Sequence, residues 1–190
     1  MKKVLFLFTI AVSLIACKKD IRVAPEEMTG NLEQLIPPGY QLQECIVPTE
    51  TALMAGQSTN VGTVTIWNDD TKVYVSYQTT GSYKVKRTHL YVGACNTIPV
   101  NGAGNPRIGL YPYSTDHGTG VQTFTYEILR SSLPAGCLCV SSHAEVVGYN
   151  STGGINFTET GWGYGEQVTD GGSWAMKFGY CQQLCDEPPR

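Results

Sequence analysis

The chain has 190 residues, of which 42% are hydrophobic and only 15% charged, with 21 glycines, 11 tyrosines and a net charge of −3. That length suits one domain with a single core, and a composition rich in glycine, tyrosine and threonine suits short strands and turns rather than long helices, so an all-β class is expected. No basic stripe is available to neutralise phosphates, and no nucleic-acid partner is expected.

In chain order, residues 1–16 read as an export signal. Lys2 and Lys3 supply the positive start, and the run VLFLFTIAVSLIA from Val4 to Ala16 supplies the apolar region. The run falls short of the about 20 residues that a spanning helix needs. Leu14-Ile15-Ala16-Cys17 resembles the lipobox of bacterial lipoproteins, with leucine three places before the cysteine and a small residue directly before it. The resemblance implies that Cys17 becomes the N-terminus and that its sulfur accepts diacylglycerol. An ordinary secretory signal with an incidental cysteine is the plainer alternative, but counting favours the lipobox. Seven cysteines leave an odd thiol, whereas setting Cys17 aside leaves Cys45, Cys95, Cys137, Cys139, Cys181 and Cys185, which can pair completely. Acyl chains at about 0.8 kcal/mol per buried CH₂ make such an anchor effectively permanent. Lys18-Lys19-Asp20, with Glu26 and Glu27 beyond, resembles the start of Bacteroidota-type outer-membrane lipoproteins and implies display at the cell surface.

Residues 17–50 carry four prolines and no sustained period, and they read as the lipidated N-terminus and a tether. The domain is expected over 51–185, with 186–190 a tail. Val61 to Trp67 and Lys72 to Thr80 flank Asn68-Asp69-Asp70-Thr71 and predict a hairpin. Tyr83 to Gly93 predicts the next strand, followed by a long irregular stretch from Ala94 to Gly120. Val121 to Ile128 places Phe124, Tyr126 and Ile128 on one face. Cys137 to Gly148 does the same for Leu138, Val140, Ala144 and Val146, and Trp174 to Tyr180 alternates again. Seven or eight strands without a convincing helix predict an antiparallel β-sandwich.

An ordered set of short motifs adds to this reading. Val61-Gly62-Thr63-Val64-Thr65, Tyr74-Val75-Ser76-Tyr77, Thr88-His89-Leu90-Tyr91-Val92-Gly93, His143-Ala144-Glu145-Val146 and Glu159-Thr160-Gly161-Trp162-Gly163 together resemble an uncharacterised β-sandwich domain of secreted and surface bacterial proteins. The resemblance spans roughly residues 54 to 180. It implies fold and location and carries over no catalytic residue.

The six remaining cysteines do not show the paired C-x2-C spacing of a zinc site, and export favours disulfides. Cys137 and Cys139 share a strand face and would be strained as a pair. The expected pairing joins Cys95 to Cys137 or Cys139 and Cys45 to one of Cys181 and Cys185. Strand parity turns Arg87 and His89 away from Leu90 and Val92, and His143 and Glu145 away from Ala144 and Val146. If the two strands are neighbours, Arg87, His89, His143 and Glu145 meet on one face, where they can bind a metal or work as acid and base. The plainer reading is a solvated face with cross-strand pairs such as Arg87 with Glu145.

Tyr113-Ser114-Thr115-Asp116-His117 is not a nucleophile elbow, and Gly102-Ala103-Gly104-Asn105-Pro106 is not a phosphate loop. The turn acids at Asp69 and Asp70 lack the further oxygen ligands of a calcium loop. No catalytic residue, metal site or cofactor is assigned. Trp162 and Tyr164 lie among Gly161, Gly163 and Gly165, which cannot cover them. With Tyr111 and Tyr113 they form a candidate ring platform for a glycan; the plainer reading is that Trp162 is a core plug admitted by its glycines. The expected function is that of a lipid-anchored envelope β-sandwich acting as a binding or structural and adhesion module, its ligand unassigned, with an extracellular glycan or protein as the candidates. A hydrolase or metal enzyme using His89, His143 and Glu145 is the alternative.

Overall fold

A computed structural model describes residues 47–183. The expected leader, the tether up to residue 46 with Cys17 and Cys45, and the C-terminal residues with Cys185 lie outside the described residues. Ten strands are present among the described residues: β1 (Thr49–Ala55), β2 (Thr59–Asn68), β3 (Lys72–Thr79), β4 (Tyr83–Gly93), β5 (Tyr113–Val121), β6 (Thr123–Leu129), β7 (Cys137–Tyr149), β8 (Ile155–Gly163), β9 (Glu166–Gln167) and β10 (Met176–Cys181). Only short 3-10 turns accompany them, and no α-helix occurs among the described residues. The all-β expectation holds, and β1 begins at Thr49, two residues before the expected domain boundary.

The β2–β3 hairpin forms where the alternating runs and the polar turn place it. Asp69 makes the turn: its Oδ1 accepts from Thr71 N, Thr71 Oγ1 and Lys72 N, and its Oδ2 accepts from Tyr74 OH. Burial alone would raise the Asp69 pKa, but these hydrogen bonds outweigh it and hold the carboxyl below its ordinary value. The carboxylate thus has partners enough without an ion.

All pairings are antiparallel, in the order β5-β4-β7-β8-β1-β2-β3-β6, with β10 on the free end of β7 and β9 on β10. Leu53, Met54 and Ala55 of β1 pair with Gly163, Trp162 and Gly161 of β8, so the sheet is continuous and rolls almost into a barrel. Its outer strands β5 and β6 are joined through the single residue Gln122. Side chains close the seam between them: Thr88 Oγ1 lies 3.0 Å from His117 Nε2 and 2.7 Å from Tyr126 OH, and the His117 ring packs 4.5 Å from that of Phe124.

Ten strands stand among the described residues where seven or eight were expected, and two of those not foreseen, β5 and β8, show why. β5 lies inside the stretch read as irregular, because Tyr113 to Val121 has almost no apolar alternation. It pairs with β4 alone, and its side chains alternate between half-buried and exposed as those of a polar edge strand do. β8 carries mostly exposed residues up to Thr160 and shows apolar periodicity only at its end.

The inward residues Leu53, Val64, Ile66, Val75, Tyr77, Val85, Leu90, Val140 and Val146 form the main core. Outward residues Tyr91, Cys139 and Trp162 form a second cluster with Ile98, Tyr111 and Ala175 from the segments 94–112 and 164–175, which cover that face. Cys95–Cys139 staples the first segment to β7, and Asn105 Oδ1 accepts from Ser173 N to join the two. Cys137–Cys181 links β7 to β10 at directly opposed positions. Cys95 thus takes one of its two expected partners. The expectation that held Cys181 open for Cys45 is corrected, because the β10 register sets Cys181 against Cys137.

At one end of the barrel, the Asn68 side chain is fully buried and fully bonded. Its Oδ1 accepts from Tyr180 OH and Gln183 N, and its Nδ2 donates to Asp69 O and Gln183 O. Gln183 in turn exchanges two hydrogen bonds with the backbone of Val47.

Candidate functional site

The outer face of β4 and β7 gathers the polar residues that parity singles out. Register sets Arg87 opposite Glu145 and His89 opposite His143, and β8 adds Trp162 beside His143. His89 Nδ1 lies 3.2 Å from His143 Nδ1, and the Trp162 ring meets His143 edge-on with centroids 4.9 Å apart. The strand adjacency on which the cluster depended is therefore present. One neighbour was missed: Arg87 Nη2 contacts Asp116 Oδ2 at 2.7 Å, whereas its contact with Glu145 is 3.4 Å. The alternation of Ser114 and Asp116 against Tyr113, Thr115 and His117 was the available signal.

Burial decides the electrostatics of the pair. His143 is 3% exposed, and burial, with the neighbouring His89 adding to it, pushes its pKa down to about 3. His89 is half-buried; burial lowers its pKa, opposed by Glu145 and assisted by Arg87. Both rings are thus neutral near pH 7, and at their contact one Nδ1–H donates to the other ring's bare Nδ1. Solvent meets the pair from the His89 side. Among the described residues, no three of His, Cys, Asp or Glu are gathered closely enough to hold a metal ion as they stand.

The four rings of the expected platform are not brought together. Trp162 is 5% exposed beneath the covering segments, and Tyr111, 6% exposed, hydrogen-bonds Ser141 Oγ at 2.8 Å. Burial also pushes the Tyr111 pKa up to about 12. Tyr113 packs against the main core, its ring centroid 6.2 Å from that of Tyr126. Tyr164 alone is open, at 56% exposure. The glycines around Trp162 serve close approach: a Cβ on Gly163 would meet Ser142 Oγ at 2.3 Å, and one on Gly165 would meet Lys177 O at 2.1 Å. They admit Trp162 to a crowded layer, as the core-plug alternative has it.

A separate open cleft of about 610 Å³ is lined by Asp70, Arg130, Leu133, Gly136 and Gln182 among others. Arg130 is committed there, donating to Asp69 O and Gln182 Oε1. No helix among the described residues is long and apolar enough to cross a membrane. Comparison with known proteins finds no matching family model, no similar curated protein and no similar solved structure.

Proposed function

We propose that this chain is a lipid-anchored envelope module of a Gram-negative bacterium. Acylated Cys17 holds it at the outer membrane, and it binds an extracellular glycan or protein rather than catalysing a reaction. The observation that carries the binding half is the stapled layer formed by segments 94–112 and 164–175. Loops held rigid on a scaffold are where recognition surfaces are commonly built, and this layer is fixed by a disulfide, by Tyr111 to Ser141 and by Asn105 to Ser173. It carries Val100 and Leu110 as exposed apolar side chains, and exposed Tyr164 directly follows β8. In this reading β5-β4-β7-β8 and β1-β2-β3-β6 act as the two leaves of a sandwich joined by the short β8–β1 pairing.

Two measurements test the halves separately. Intact mass of the membrane-extracted protein beside a Cys17→Ala variant tests the anchor; a parent without lipid overturns it. Binding of the full chain to a panel of polysaccharides, with Tyr164→Ala as the variant, tests ring stacking, for which a loss of about 1–3 kcal/mol per ring is a fair scale by analogy with base stacking. A folded parent that binds none of them removes the glycan version and leaves a protein ligand. The enzyme alternative has one observation in its favour, the assembled His89 and His143 pair, whose nitrogens are placed for acid–base work only toward the His89 side.

A further inference from the structure

We propose that His89 and His143 form a cross-strand chelate for one divalent transition-metal ion of the imidazole-preferring class. The geometry carries it. Two imidazole nitrogens bound to one ion at about 2.0–2.1 Å and held 3.2 Å apart subtend about 100° at the metal, between square-planar and tetrahedral values. The β4–β7 register that opposes the residues, together with Trp162 against the His143 ring, sets this spacing before any ion arrives. Such preorganisation lowers the cost of binding.

The present contact uses one Nδ1–H. For both Nδ1 atoms to coordinate, the donor ring moves that proton to its own Nε2, so two neutral ligands bind and no net proton is released. Water fills the remaining positions on the His89 side. Glu145 is an anionic candidate to join it, since it lies on the same face of β7 as His143 and Arg87 is held more closely by Asp116. The inference does not depend on what the covering segments recognise.

The test is titration of Cu²⁺, the tightest-binding ion of the divalent series, into the full chain with free thiols alkylated. It is followed by calorimetry and electron paramagnetic resonance. One ion per chain is expected, with superhyperfine splitting from two nitrogens and a melting midpoint that rises with added ion. His89→Gln, on the accessible side of the pair, is expected to weaken binding at least about tenfold, the lower end of what losing even an outer-shell partner costs a metal site. His117→Gln, at the seam, should bind as the parent does. Circular dichroism without metal confirms that each variant is folded. Equal binding by His89→Gln and parent, a single coordinated nitrogen, or no saturable binding by the parent would each overturn the chelate and leave a plain imidazole hydrogen bond.

Discussion

Asn68 is the side chain on which the closed end of the barrel most depends. All four of its polar contacts are buried or partly buried, and they tie the β2–β3 turn to the residues after β10. Asn68→Ala leaves Tyr180 OH and two backbone groups without partners, so a loss of about 3 kcal/mol is expected in urea unfolding, the scale of leaving buried groups unsatisfied. The histidines act in the opposite sense, through protons they do not hold. His89, His117 and His143 all have pKa values lowered, first by burial, from the ordinary 6.5. The unfolded chain therefore binds protons more readily than the folded one. Their contribution to stability is complete above about pH 6.5 and is lost as pH falls, over a window that for His143 reaches down to about 3. Through the buried His143, metal-free protein should lose up to about 1.4 kcal/mol per pH unit within that window, and urea midpoints measured from pH 7 to 4 will show it. A flat profile would mean that His143 reaches solvent when folded.

At the scale of elements, the legible strands are those whose two faces differ. Val73, Val75 and Tyr77 alternate with Tyr74 and Ser76 in β3, and Leu138, Val140, Ala144 and Val146 mark β7, so parity followed from the sequence, including the face of each strand on which His89 and His143 lie, whereas the register that opposes them is read from the structure. β5 was not legible because an edge strand bonded on one side has little apolar surface to bury, and its sequence is correspondingly polar. The burial of Tyr111 was hidden for a different reason, whereas that of Trp162 was one of the two readings its glycines allowed. The layer over them is made by irregular segments, whose packing follows no period and whose glycines mark close backbone approach as readily as exposure. That last point can be tested. Gly165→Ala would force a Cβ onto Lys177 O, and a backbone atom cannot swing aside. It is expected to destabilise the protein by about 1–3 kcal/mol, with enhanced amide exchange confined to β9 and β10. No effect would mean that this junction is loosely packed.

At the scale of the whole domain, the disulfides among the described residues lie on the outward side of β7: one fixes to it the covering segment, which no ladder holds there, and the other reinforces the ladder that already pairs β7 with the last strand. Each closes a loop with a sequence separation of 44, for which the chain-entropy account gives about 4 kcal/mol. Val47 and Gln183 bond to each other, and Cys45 and Cys185 stand two positions beyond them in sequence. With Cys181 taken by Cys137, non-reducing peptide mapping is expected to find Cys45 linked to Cys185; a free thiol at either would refute this. The meeting of Val47 and Gln183 also makes the barrel a unit that the chain enters and leaves at one point. Its sequence can be permuted, joining 183 to 47 through a short glycine linker and opening the exposed β7–β8 turn at Gly153. It can equally be grafted whole into a surface loop of a host protein, as a cassette whose two splice points lie side by side.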